Sequence, residues 1–216
     1  MKKIIFASMV LITIFASCKK EIKDVSTVYD ANVSKMELIG DPIYAPPAGT
    51  TTYVDPGAKF TDDDGSVKTL TTPISLPDLT KPGFYSVQYK ATSIHGWIRT
   101  ATRLVLVTKV DPAVDISGKY ARNVTTLVTI TKLGPGLYKT NNVGGVPNNP
   151  AYIFDVYFGQ LNDSTLAVPS QPNPLGGNIA CENATVKKNG AKYVISWNIV
   201  ENTTGFSTVP RIFVQQ

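Results

Sequence analysis

The 216 residues contain one histidine, His95, and two cysteines, Cys18 and Cys181. A Ser-His-Asp or Cys-His constellation needs an imidazole beside its nucleophile. His95 stands next to Gly96 in an expected turn, far along the chain from Cys181. Neither HExxH nor paired-cysteine metal spacing occurs. A disulfide framework is lacking as well, and about 200 residues can bury a sizeable core without one. Cys181 therefore reads as a small apolar strand residue. Long apolar runs are missing: the best, residues 4–15, falls short of the roughly 20 residues a spanning helix needs. Basic runs are missing too. Lys59, Lys90, Arg99, Arg103 and Lys139 are scattered singly, and Lys187 with Lys188 is only a pair. Nothing here follows a phosphate backbone, which excludes nucleic acid as a partner. A glycosidase needs two carboxylates on one groove. Residues 115–216 have Asp115, Asp155, Asp163, Glu182 and Glu201, of which only Asp155 falls in a convincing strand. No enzymatic activity and no cofactor are expected.

What is present begins at the first residues. Lys2 and Lys3 precede the apolar run 4–15, then come Ala16, Ser17 and Cys18. Charged region, apolar region and small-residue site, in that order, read as a secretory signal over residues 1–17. Without Lys2 and Lys3 the chain has 19 Lys and Arg against 16 Asp and Glu, reducing the formal charge from +5 to +3. Small residues directly before Cys18 resemble the lipobox of bacterial lipoproteins, with Phe15 where that family prefers leucine, a relaxed form common in Bacteroidetes. The resemblance implies that Cys18 is diacylated and becomes the first mature residue. Residues 18–33, polar and without periodicity, then form a lipidated tether.

Beyond the tether, 15 prolines and 16 glycines punctuate short runs rich in Val, Ile, Thr, Tyr and Phe. That pattern predicts an all-β protein of many short strands. Period-two alternation assigns faces. Over 84–91, Tyr85, Val87, Tyr89 and Ala91 form the core set. Over 151–158 the set is Tyr152, Phe154, Val156 and Phe158, with Tyr157 opposite. Over 193–200 it is Tyr193, Ile195, Trp197 and Ile199. Asn189 and Gly190 predict a two-residue type I′ hairpin loop before that last strand. Asp111 and Pro112 break the pattern and mark a boundary between two domains, whose short, stiffened connector restricts their angle.

Residues 34–110 resemble a bacterial immunoglobulin-like domain. The resemblance is carried by Tyr53, Val54, Asp55, Pro56, Gly57 and Ala58, by Phe60, Thr61 and Asp62, and by the run from Pro82 to Thr92. It implies a seven-strand β-sandwich. Residues 115–216 resemble the C-terminal domain of uncharacterised Bacteroides lipoproteins. Here the carriers include Asp115, Ile116, Ser117, Gly118, Lys119 and Tyr120, then Gly136, Leu137 and Tyr138, and Ile195, Ser196 and Trp197. The implied fold is a compact antiparallel β-barrel, lipocalin-like, each strand leading into the next. Such lipoproteins belong to polysaccharide-uptake systems beside outer-membrane transporter proteins. The resemblance therefore implies an outer-membrane, lipid-anchored accessory protein that binds glycan. The alternative is a structural or assembly lipoprotein contacting another envelope protein. The mixed charge of Lys19, Lys20, Glu21, Lys23 and Asp24 departs from the acidic surface-export pattern and leaves the membrane face open.

Four aromatic residues are ligand-binding candidates, because a flat ring stacks on the apolar face of a sugar. Trp97 lies in an expected hairpin connection, where no core demands its ring. Trp197 shares its face with core residues, so packing competes with binding. Tyr157 and Tyr138 are weaker candidates. Asp62, Asp63 and Asp64, followed by Gly65, offer oxygens to calcium but lack the alternation of a calcium loop. A solvated turn is the competing reading.

Overall fold

The computed structural model describes residues 33–216 apart from 48, 124, 125, 148, 203, 204, 207 and 208. The signal, Cys18 and nearly all of the tether lie outside them. Among the described residues no α-helix occurs, and the chain folds as all-β in two lobes.

The first lobe contains β1 (Lys35–Leu38), β2 (Ile43–Tyr44), β3 (Ala58–Thr61), β4 (Val67–Leu70), β5 (Gly83–Thr92) and β6 (Ile98–Val107). They form two three-stranded sheets, ordered β1-β3-β4 and β2-β6-β5, in which β2 runs parallel to β6. Six strands stand where seven were expected. The segment 72–82 is the reason, for Pro73 and Pro77 lack the N–H a ladder needs. Instead, Ile74 donates its amide to the Gln88 carbonyl at 2.8 Å. The Ser75 hydroxyl accepts from the Gln88 amide at 3.0 Å and donates to the Ser86 carbonyl at 2.8 Å, so a side chain replaces the missing ladder. Alternation along β5 is as read, with Val87 and Tyr89 wholly buried against Ala58 and Val105.

An ion pair closes this core. Arg103 Nε donates to Asp55 Oδ2 at 2.9 Å, with both side chains 1% exposed. The Asp55 carboxylate also accepts from the Tyr53 hydroxyl, the Tyr89 hydroxyl at 2.8 Å and the Gly57 amide at 2.9 Å. Arg103 spends its remaining donors on the carbonyls of Asp41 and Ile39. Burial raises the Asp55 carboxyl, but the two hydroxyls, the amide and the guanidinium outweigh it and hold the group below its ordinary value of 3.8. Burial and the same carboxylate push the Tyr89 hydroxyl up to about 12.

The second lobe is a closed eight-stranded barrel: β7 (Gly118–Ala121), β8 (Leu127–Gly134), β9 (Leu137–Thr140), β10 (Val156–Gln160), β11 (Leu166–Asn173), β12 (Gly177–Asn189), β13 (Lys192–Asn202) and β14 (Arg211–Gln215). Every strand pairs antiparallel with the next, and β14 pairs with β7 to close the ring, which removes sheet edges. Two expectations shift. The strand expected over 151–158 begins only at Val156, because Asn149 and Pro150 open a 3-10 turn (Pro150–Tyr152) in which the Asn149 side chain caps the Ala151 amide. The hairpin loop after β12 is Gly190 and Ala191, not Asn189 and Gly190, since Asn189 pairs with Lys192. Gly190 has φ +62°, at the loop position where a type II′ turn takes glycine.

Alternation along β9 and β10 turns Tyr138, Val156 and Phe158 into the barrel and Leu137, Tyr157 and Gly159 outward. The outward set meets the sandwich. Leu137 forms an apolar cluster with Ala45 and Leu106, joined by Ile43, Phe84 and Leu161. Gly159 is required by this contact: a Cβ there would come within 2.5 Å of Leu106 Cδ1 and 3.0 Å of Phe84 Cε2. The connector is fastened as well, by Thr108 Oγ1 donating to the Gln160 carbonyl at 2.6 Å and the Lys109 amide to the Leu161 carbonyl at 3.1 Å. The two lobes are thus packed on one another and not merely strung together.

Candidate functional site

A cleft of about 410 Å³ opens beside that shared cluster. One wall is the segment leading into and through β2, with Asp41, Pro42, Ile43, Tyr44 and Ala45. The other is the β8–β9 hairpin with Leu133, Gly134, Pro135 and Leu137, completed by Tyr157 of β10. Its size lies within the roughly 300–1,000 Å³ of small-ligand sites, which favour junctions between domains. Two half-buried tyrosines, one from each lobe, face a mostly aliphatic floor with the exposed carboxylate of Asp41 at the rim.

Tyr157 is held from behind. Beside it, β11 breaks its pairing at Pro169 and Ser170, and the Gln171 side chain substitutes for the ladder. Gln171 Oε1 accepts from the Tyr157 amide at 2.8 Å and Nε2 donates to the Tyr157 carbonyl at 2.8 Å. In the register of β9 and β10, Tyr157 stands opposite Lys139. Lys139 Nζ donates to Asp155 Oδ2 at 2.6 Å, and that hydrogen bond and charge raise the lysine above its ordinary value. An amphipathic ring and a lysine–carboxylate pair therefore share this corner of the surface. Such an arrangement can stack a ligand ring while offering donors and acceptors to hydroxyl groups.

The four aromatic candidates do not converge. Only Tyr157 lines the cleft. Trp197 is 1% exposed inside the barrel, its Nε1 donating to the Val143 carbonyl at 2.9 Å and its ring packed on Phe158 and Phe213. Tyr138 is wholly buried and stacked on Phe158, and burial pushes its hydroxyl up to about 12. Both rings fill the barrel interior, where they pack rather than present a surface. Trp97 is 62% exposed, on the hairpin between β5 and β6. Cys181 is partly buried on β12, and burial pushes its thiol up to about 12, away from the reactive thiolate.

The aspartates form a turn that is spoken for by hydrogen bonds. Asp62, 3% exposed, accepts from the amides of Asp63 at 2.7 Å and Ile94 at 3.0 Å. Asp63 Oδ1 accepts from the Ser34 amide at 2.6 Å, while Oδ2 lies 3.0 Å from His95 Nδ1. Bonds from Ser93, His95 and Ser34 outweigh desolvation and hold the Asp63 carboxyl well below the usual range. Asp64 accepts from the Ser66 amide at 2.8 Å. No group of three or more possible metal ligands occurs among the described residues.

Asp41, Tyr44 and Leu133 were not singled out from sequence. The cleft unites segments some 90 residues apart along the chain, and no local pattern marks either wall.

Fold and site together define a class: a two-sheet sandwich packed on an up-and-down eight-stranded barrel, with a cleft at the join. No family model matches the chain, and no curated protein matches it. Among solved structures, the crystal structure of the lipoprotein BT2262 from Bacteroides thetaiotaomicron is similar at 20% identity with a TM-score of 0.37, covering 85% of this chain and all of that one. A likeness that loose defines neither a family nor a site.

Proposed function

We propose that the chain is a membrane-anchored, non-catalytic lipoprotein that binds a glycan in the cleft between sandwich and barrel. The cleft carries the reading: Tyr44 and Tyr157 approach from separate lobes over an aliphatic floor, with Asp41 at its rim and the Lys139–Asp155 pair next to Tyr157. A pyranose has the matching chemistry, an apolar ring face edged by hydroxyls. In this reading Cys18 supplies the lipid anchor in the outer membrane, the immunoglobulin-like sandwich spaces the cleft from the anchor and lends it one wall, and bound glycan passes to an outer-membrane transporter. His95, the single imidazole, lies against Asp63 on the sandwich and does not line the cleft.

The test is a glycan array probed with the unlipidated chain from residue 24, followed by titration of any hit. Tyr44→Ala and Tyr157→Ala are each expected to weaken binding about tenfold, equivalent to about 1.4 kcal/mol. Failure to bind any glycan, or loss of binding only with Trp97→Ala, contradicts the cleft reading.

A second reading, contact with another envelope protein, has its own observation. Ile212 and Val214 of β14 are 52% and 41% exposed, Val214 pairs with Ala121, and Ala121 pairs with Leu127, itself 58% exposed. This apolar strip on the outer barrel wall is the surface that reading would use.

A further inference from the structure

We infer that the hairpin 93–98 is a bilayer-docking tip, inserting Ile94, Trp97 and Ile98 into the headgroup region of the membrane to which Cys18 is tethered. The inference rests on the lipid-anchor reading of Cys18, and is independent of the cleft. Ile94, Trp97 and Ile98 are 60%, 62% and 55% exposed, although each is large and apolar. Single exposed apolar residues are ordinary, whereas a cluster marks a surface that meets something apolar. Tryptophan, with an apolar body and one N–H, is enriched where hydrocarbon gives way to headgroups.

The path of the chain says what covers this tip. The described residues begin at Val33, and Ser34 is fastened to the foot of the hairpin. Arg99, next to Ile98, donates from Nε to the Ser34 carbonyl at 2.7 Å and to its hydroxyl at 3.1 Å. Asp63 bridges the Ser34 amide and the His95 ring, and Asp62 accepts from the Ile94 amide. The three aspartates flagged as a calcium candidate thus include the two that seat this hairpin beside the incoming chain. Residues 19–32 separate Cys18 from that point, fourteen residues that span at most about 50 Å even when fully extended.

The opposite ends of β5 and β6 carry Phe84 and Leu106, which contact the barrel. At about 3.3 Å per residue, ten-residue strands set the tip roughly 30 Å from that contact. Docking the tip therefore leaves the cleft end of the sandwich away from the bilayer and open to solvent.

The experiment couples a maleimide lipid to Cys18 of the chain from residue 18 onward, in a Cys181→Ala background that leaves one thiol. The protein is held on phosphatidylethanolamine–phosphatidylglycerol vesicles containing brominated acyl chains. Trp97 emission is expected to shift blue and lose most of its intensity. Trp97→Phe should abolish the quenching, because Trp197 lies inside the barrel, and Ile94→Ser with Ile98→Ser should weaken it. Tethered protein whose Trp97 stays unquenched overturns the docking inference. So does a blue shift that appears in solution and grows with protein concentration, which would assign the tip to a second copy of the chain. Labelling of the full chain with radioactive palmitate in a Bacteroidetes host tests the anchor separately. Label lost in Cys18→Ser supports it, and an unlabelled wild-type chain overturns the anchor and the inference with it.

Discussion

Asp55 and Arg103 show what one residue does in this fold. A buried ion pair is expensive to desolvate and stable only when its remaining lone pairs and protons are bonded. Asp55 meets that condition with two hydroxyls, an amide and the guanidinium, and Arg103 with two backbone carbonyls. Removing one partner strands the other, so Asp55→Ala is expected to lower stability by about 3–5 kcal/mol in chemical denaturation. Because the folded Asp55 carboxyl lies below its ordinary value of 3.8, its stabilisation is complete above that pH and declines as pH falls through the lower folded value. Asp55→Asn should accordingly flatten the loss of stability that wild type shows below pH 3.8, and an unchanged acid profile would contradict the assignment. The two tryptophans make the opposite pair. Trp197→Ala removes a buried ring and is expected to cost about 3–5 kcal/mol, whereas Trp97→Ala, at an exposed tip, should stay within about 0.5 kcal/mol of wild type. Thermal unfolding of both variants checks this contrast. The motif around Asp55 was legible, but Tyr89 and Arg103 lie 34 and 48 residues away, and no local pattern announces such partners.

At the scale of elements, β10 carries most of the architecture in five residues. Its inward positions build the barrel core, Gly159 admits the sandwich, and Tyr157 faces the cleft. A methyl group at 159 would press on buried Leu106 and Phe84, so Gly159→Ala is expected to cost about 1–3 kcal/mol, read as a lowered denaturation midpoint. A neutral result would mean that the lobes separate easily. Period-two alternation made β5 and β13 readable in advance, since each has one face in a core and one outside. Over 151–158 it identified Val156 and Phe158 as buried, whereas Tyr152 and Phe154, ahead of the strand, are only half-buried. What alternation could not supply was the backbone between those side chains. Asn149 and Pro150 made a 3-10 turn, Pro73 and Pro77 removed a seventh strand, and the loop after β12 moved by one residue. The first two follow from a proline or cap acting locally, and the third from Asn189 pairing with Lys192, each against a face pattern that survives it.

At the scale of the whole molecule, β5 and β6 run from the exposed Trp97 hairpin at one end to the apolar join with the barrel at the other. Both lobes were partly visible in the chain. Composition and punctuation disclosed an all-β fold, and the lack of imidazole and thiol chemistry turned attention to binding. The cleft was not visible, because it exists only where β2 meets the β8–β9 hairpin across the join, and no local pattern marks either wall. Tyr157 was noted for the face it occupies, and Tyr44 from the other lobe could be found only in three dimensions. The central claim is that this cleft, rather than the Trp97 tip or the barrel interior, holds the glycan. The most direct measurement is heteronuclear NMR of the unlipidated chain titrated with the strongest array hit. The account predicts shifts confined to residues 41–45 and 133–137 and to Tyr157 and its neighbours, with Ile94 to Ile98 unmoved. Shifts centred on the Trp97 hairpin or on barrel-core residues around Trp197, with residues 41–45 silent, would contradict it.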